Sequence, residues 1–315
     1  MKKRLLTSLI ILIVTALFVA SRYYTTYAMD AFIGILAVVG CVEVTKVLER
    51  RRMFSNVVLV GCFPAIMYVA MTIGIINKRG WLNYVVYFVA ILLILFLANF
   101  LFTYLCSSVT HKEKDKFGVY DSDAKYAFNK SMNSAFVMIY PAILFVCMLF
   151  INHYFDFAFV TTTIKYPNLL ILFFVVLLFA ITMITDSMAL VVGTTFKGPK
   201  LCPTISPNKT ISGAVGGFVF GTLGGVLVYY LFSLNIYINE MFLATDIVWW
   251  KILIVSMIAS IVCQIGDIIA SKLKRSARVK DYGTIFPGHG GVMDRVDGLI
   301  FNASFVLIFA LFLLK

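Results

Sequence analysis

Residues 271–297 read SKLKRSARVKDYGTIFPGHGGVMDRVD. Five cations (Lys272, Lys274, Arg275, Arg278, Lys280) and three carboxylates (Asp281, Asp294, Asp297) crowd around a Pro-Gly-His-Gly-Gly turn, and Arg295 sits between the last two acids. The surrounding sequence is apolar. Of 315 residues 61% are hydrophobic and 13% charged, with a mean hydropathy of +0.96. A soluble domain carries about a quarter charged residues. Ionisable groups are costly next to lipid, so a dense polar island in such a chain points to a functional site.

Working outward, apolar runs of about 20 residues, the length that crosses a bilayer, recur at 5–20, 29–48, 54–76, 81–106, 133–152, 169–192, 211–233, 247–271 and 298–314. They predict an all-α, polytopic membrane protein of nine helices. A β-barrel would show short alternating segments instead. The first run follows Lys2-Lys3-Arg4 and reads as an uncleaved helix, because Phe18 does not suit a signal-peptide cleavage site. Residues 1–132 form an N-terminal transmembrane region of four helices and a charged loop, 107–132; residues 133–315 form the catalytic region. With the N-terminus inside, 21 of the 27 Lys and Arg residues face the cytoplasm, all but Arg22, Lys78, Arg79, Lys165, Lys251 and Lys315. That bias predicts a multi-pass plasma-membrane protein whose polar segments 107–132, 193–210 and 272–297 are cytoplasmic. The net charge of +12 belongs to this asymmetry and not to nucleic-acid binding. Six scattered cysteines without a C-x-x-C pair suggest neither a disulfide framework nor a zinc site.

Gly213, Gly217, Gly221 and Gly225 recur every four residues. This repeated G-x-x-x-G predicts a helix face that a neighbouring backbone approaches closely. The segment before it holds Lys197, Lys200, Ser206, Lys209 and Thr210. Such a lysine-bearing entry to a helix N-terminus suits an anion, although N-caps favour the same residue types.

Four acidic positions fall within or beside apolar runs: Glu43, Asp186, Asp267 and the pair Asp294/Asp297. Glu43 and Asp186 taken singly read equally well as side chains that snorkel to the interface. Asp294 and Asp297 are three apart on a helix, hence neighbours on one face. With Asp267 from the preceding helix they form a candidate site for one or two hard divalent ions such as Mg²⁺, which takes oxygen ligands. A salt-bridge network with Lys280 and Arg295 is the alternative. Arginine forks and lysine point charges suit phosphate. The residues alone therefore describe a metal-dependent enzyme acting on phosphates at a membrane face.

The quoted stretch also resembles the signature of phosphatidate cytidylyltransferases, the CDP-diacylglycerol synthases. Ser271, Lys274, Arg275, Lys280, Asp281, Gly283, Phe286, Pro287, His289, Gly290, Gly291, Asp294, Arg295 and Asp297 fill every fixed position of that pattern. Upstream, Asp186-Ser187-Met188-Ala189-Leu190 and Ser206-Pro207-Asn208-Lys209-Thr210-Ile211-Ser212-Gly213 stand where the family commonly reads D-T-G-A-Y and S-P-K-K-T-x-E-G, departing at Met188, Leu190, Asn208 and Ser212 among others. The resemblance implies that CTP and phosphatidic acid give CDP-diacylglycerol and pyrophosphate. It implies catalytic roles for Asp267, Asp294, Asp297, Lys280, Asp281 and His289, with Mg²⁺ held by Asp267, Asp294 and Asp297 and a monovalent ion such as K⁺ alongside. It implies substrate contacts from Ser271, Lys274, Arg275, Arg295, Gly290, Gly291, Lys200, Ser206 and Lys209. The expected partners are CTP, phosphatidic acid, the bilayer and a second copy in a homodimer. Two other readings remain: a CTP-consuming lipid-alcohol kinase, distinguished by releasing CDP instead of pyrophosphate, and a transporter of a phosphorylated metabolite. Transporters bind near the membrane midplane, whereas these acids gather at one face.

Overall fold

The computed structural model describes residues 2–105, 123–157, 165–286, 288 and 290–313. Each of the nine apolar runs is helical over most of its described residues. In chain order the helices are α1 (Lys2–Ser21), α2 (Tyr27–Glu49), α3 (Val57–Ile76), α4 (Trp81–Leu105), α5 (Asp123–Val137), α6 (Leu144–Asn152), α7 (Pro167–Phe196), α8 (Ile211–Ser233), α9 (Ile236–Ala244), α10 (Trp249–Ser276) and α11 (Met293–Leu313). A hairpin of β1 (Lys200–Cys202) and β2 (Ser206–Thr210) precedes α8. Among the described residues, seven helices are long and apolar enough to cross a membrane, counting Asp123–Asn152 as one. The protein is thus an all-α, multi-pass membrane protein.

The differences from the sequence reading have local causes. Helix α5 begins at Asp123, inside the segment expected to be loop, because Tyr126, Ala127, Ser131, Ser134 and Ala135 bury one face at helical spacing. Lys112, Lys114 and Lys116 lie outside the described residues. Between α5 and α6, residues Met138–Ile143 form a π-turn around Pro141, whose missing N–H interrupts the helical ladder. The segment expected to be a simple loop before α8 is a hairpin, antiparallel with Lys200 opposite Thr210.

The glycine face of α8 is the seam of the bundle. A Cβ at Gly213 would stand 2.6 Å from the Ala189 carbonyl of α7, and one at Gly217 2.8 Å from the Thr185 carbonyl. At Gly221 it would strike the Thr185 and Ser260 hydroxyls, which bond each other at 2.7 Å between α7 and α10. Each helical glycine costs up to about 1 kcal/mol against alanine. The return is a close contact of α7 with α8, which brings α10 against both.

At the far end of the bundle from residues 271–297 lies a buried ionic network. His153, just past α6, meets Asp30 at 2.9 Å through Nε2 and Asp156 at 2.7 Å through Nδ1. Asp30 also accepts from the Tyr68 hydroxyl at 3.0 Å and from Asn152 Nδ2 at 2.7 Å. Arg22, 2% exposed, donates to the Asn152 carbonyl and to Asn168 Oδ1. These bonds tie the α1–α2 turn to α3, α6 and α7. Burial pushes the His153 imidazolium down, but Asp156 and Asp30 outweigh it and raise its pKa to about 9. The unfolded value is about 6.5, so the stability that protonated His153 contributes is complete below pH 6.5 and lost as pH rises through 9. Thermal unfolding in detergent micelles should therefore fall between pH 7 and 9.5. His153→Gln should flatten that slope, and an unchanged slope would remove His153 from the account.

Candidate active site

Three pieces of backbone converge at the end of the bundle that carries residues 271–297. The first is the hairpin running into α8. Thr210 caps that helix, its Oγ1 accepting from the Gly213 N–H at 3.1 Å. A capped helix start carries partial positive charge, and Asn208, Lys209, Thr210, Gly213 and Ala214 present it to a cavity.

The second piece is the end of α10. Gln264, Asp267, Ser271 and Lys274 recur at spacings of three and four, hence on one face. Asp267 pairs with Lys209 at 2.5 Å and accepts from the Ser271 hydroxyl at 3.3 Å.

The third piece is the loop into α11, closed by Asp294. Its Oδ1 meets Lys274 Nζ at 2.8 Å; its Oδ2 accepts from the N–H groups of Tyr282 at 2.7 Å and Gly291 at 2.9 Å. Lys274 also lies 5.2 Å above the Tyr282 ring. Burial, with Tyr140 adjoining, pushes the Tyr282 phenol well above its usual range, so it stays a neutral donor to the Ala270 carbonyl. Gly290 has φ +86°, a conformation that side chains disfavour.

Glu43 of α2 completes the loop. Its carboxylate accepts from the Val292 N–H at 3.1 Å and the Met293 N–H at 2.8 Å. These are orphan donors at the start of α11, where negative charge is also favoured by the helix dipole. Glu43 is 4% exposed and does not snorkel. A Cβ on Gly283 or Gly291 would collide with this carboxylate, so both glycines are needed for its approach.

Together these pieces enclose a cavity of about 400 Å³. Its walls carry Asp186, Asp267, Asp281, Asp294 and Asp297 against Lys209, Lys274 and Arg295. Asp186 belongs to the site, with Cys263 Sγ 3.6 Å from its Oδ1. Asp297 accepts from the Gly298 N–H at 2.8 Å. Of the other residues singled out from sequence, Ser271 orients Asp267, and Gly290 and Gly291 shape the loop. Arg275 braces the fold, donating to the Ile205 and Val279 carbonyls at 3.2 Å each. Lys200 and Ser206 lie on the hairpin and Lys280 is exposed; none of these three lines the cavity. Pro287 and His289 lie outside the described residues.

The donor set is all oxygen, as Mg²⁺ requires. Among the described residues no three acidic, histidine or cysteine side chains group closely enough to hold a metal ion, so Asp267, Asp294 and Asp297 do not form the expected three-carboxylate site.

A cytidylyltransferase family model matches residues 2–313. The chain belongs to that family. Among its relatives, a phosphatidate cytidylyltransferase of Brucella abortus is 42% identical over 135 residues, 43% of this chain and 46% of that one. One of Rickettsia felis is 42% identical over 135 residues, covering 43% of this chain and 57% of its own length. One of Staphylococcus haemolyticus is 36% identical over 130 residues, 41% of this chain and 46% of its own. The chain spans about half the length of the curated relatives it matches.

Glu43→Gln keeps the size of the side chain but turns an amide donor toward an N–H. It should destabilise the protein by about 1–2 kcal/mol and speed hydrogen exchange at Val292 and Met293. Protection equal to wild type at both amides would contradict the cap.

Proposed function

We propose that this protein is a phosphatidate cytidylyltransferase, converting CTP and phosphatidic acid into CDP-diacylglycerol and pyrophosphate at the cytoplasmic membrane face. The observation that carries this reading is the acid- and lysine-lined cavity against a helix N-terminus at one end of an apolar bundle, in a chain that the cytidylyltransferase family model matches over residues 2–313. The distribution of Lys and Arg supports the cytoplasmic placement.

An oxygen of the lipid phosphate attacks the α-phosphorus of CTP. A new P–O bond forms, the bond to the bridging α–β oxygen breaks, and pyrophosphate leaves with the electron pair. No protein nucleophile is needed, so catalysis rests on positioning and charge. Lys209 and the α8 N-terminus line the cavity and would receive the polyphosphate. Arg295, also on the wall, would take the lipid phosphate in a fork of two hydrogen bonds. Lys274 holds Asp294, and through it the loop that forms one wall.

Five aspartates against three cations would repel a triphosphate, so positive charge must enter with the nucleotide. Asp267 and Asp297 would hold Mg²⁺, with Asp186 beside them; Asp294, whose two oxygens already accept three donors, serves chiefly as the loop's clasp. Bound there, Mg²⁺ supplies charge stabilisation at the phosphate oxygens. A monovalent ion such as K⁺ fits the same charge excess.

Purified protein in phosphatidate-containing micelles should consume CTP and release pyrophosphate only when Mg²⁺ is present. Asp267→Asn and Asp297→Asn should each lower kcat roughly a hundred-fold or more with thermal unfolding unchanged. Release of CDP instead of pyrophosphate would favour a lipid-alcohol kinase, and full activity in both variants would overturn the metal assignment.

A further inference from the structure

Two apolar grooves flank the polar cavity. One, of about 500 Å³, runs between the π-turn and α10, with Tyr140, Ile269 and Phe301 on its walls; it shares no lining residue with the cavity. The other, of about 200 Å³, is bounded by α1, α2, α7 and α11, and Asp186 and Arg295 line both it and the cavity. We propose that this second groove holds one acyl chain of the lipid substrate, making α1 a specificity-determining wall.

Continuity with the polar cavity favours that occupant. Along α7 the groove extends from Asp186 back to Phe179, about 10 Å at the helical rise. Along α11 it passes from Arg295 through Val296 to Leu299. Both paths lead away from the polar end into the apolar body of the bundle. The far wall is Val14 and Thr15 of α1, facing Leu36 of α2 and Met183 of α7. Arg295 and Asp186 stand where groove and cavity meet, and the guanidinium with an apolar trough behind it matches an anionic phospholipid, phosphate outward and chain inward. The larger groove also carries cations, Arg51 and Lys272, but shares no lining residue with the cavity. Phe18 of α1 stacks on Phe32, itself a groove residue, at 4.5 Å, which fixes α1 as a wall of the trough. The inference rests on the function proposed above only for the identity of the headgroup.

The test uses the full chain in detergent micelles with a phosphatidate carrying a diazirine midway along one acyl chain. Irradiation should label residues 10–15 and 179–186, and excess unlabelled phosphatidate should suppress that label. Thr15→Trp should reduce it at least five-fold, whereas Leu12→Trp, on the exposed side of the same helix, should leave it unchanged. Met183→Trp blocks the trough from the opposite wall and should repeat the loss. In turnover, Thr15→Trp should raise KM for a long-chain phosphatidate about ten-fold and leave KM for CTP and for dihexanoyl phosphatidate within about two-fold, ten-fold corresponding to about 1.4 kcal/mol. Labelling concentrated in the groove beside Tyr140, or equal labelling of wild type and Thr15→Trp, would overturn the proposal. The wild-type labelling map decides the matter even if both tryptophan variants misfold. Specific labelling of the α1–α7 groove without pyrophosphate release would leave the groove standing and overturn the enzymatic reading alone.

Discussion

The carboxylate of Glu43 is the interaction on which the site depends. Helix α11 begins inside the protein, with exposed N–H groups that neither water nor its own turn satisfies. A buried unsatisfied donor costs about 1–3 kcal/mol, and here two of them point at one place. Glu43 meets both from α2, and Gly283 and Gly291 leave room for it. Asp294 then gathers the loop from the opposite side, taking Lys274, Tyr282 and Gly291 together. Two carboxylates thus fix the backbone, while Asp186, Asp267 and Asp297 remain on the cavity wall.

The glycine seam supplies the other half of this arrangement. Only where α7 and α8 approach through bare backbone can Asp186 of one helix and the capped start of the other face a common space. Thr210 and Lys209 then stand opposite Asp267 of α10. Lipid gives little hydrophobic drive for helices to associate, so close packing and a few hydroxyl bonds, such as Thr185 to Ser260, must hold them. The architecture of the bundle and the shape of the cavity therefore have one cause.

Much of this was legible in the sequence. Apolar length gave the helices, the four-residue glycine period gave the seam, and local charge density marked the loop that carries Asp294. Glu43 and Asp186 were ambiguous because each stands alone in an apolar run, and its partner arrives from a distant segment. Glu43 meets backbone groups, which leave no trace in residue types. The β1–β2 hairpin was hidden because strands of three and five residues are too short to show a period. Arg275 was read as a phosphate ligand from its charge, but its bonds to two carbonyls depend on where the hairpin folds back. The network around His153 was hidden for a similar reason: Arg22, Asp30 and His153 are far apart in the chain and individually common at helix ends.

The bond between Glu43 and the start of α11 has a consequence for how the protein is made. Its acceptor belongs to the second helix and its donors to the start of the eleventh, 249 and 250 residues later, so the ribosome must synthesise all that lies between before the two can meet. Every shorter nascent chain holds the carboxylate without these partners and lacks the wall bearing Arg295 and Asp297. Competence therefore arises in one late event, when α11 docks against α2, and chains that stop before it hold the site with one wall missing.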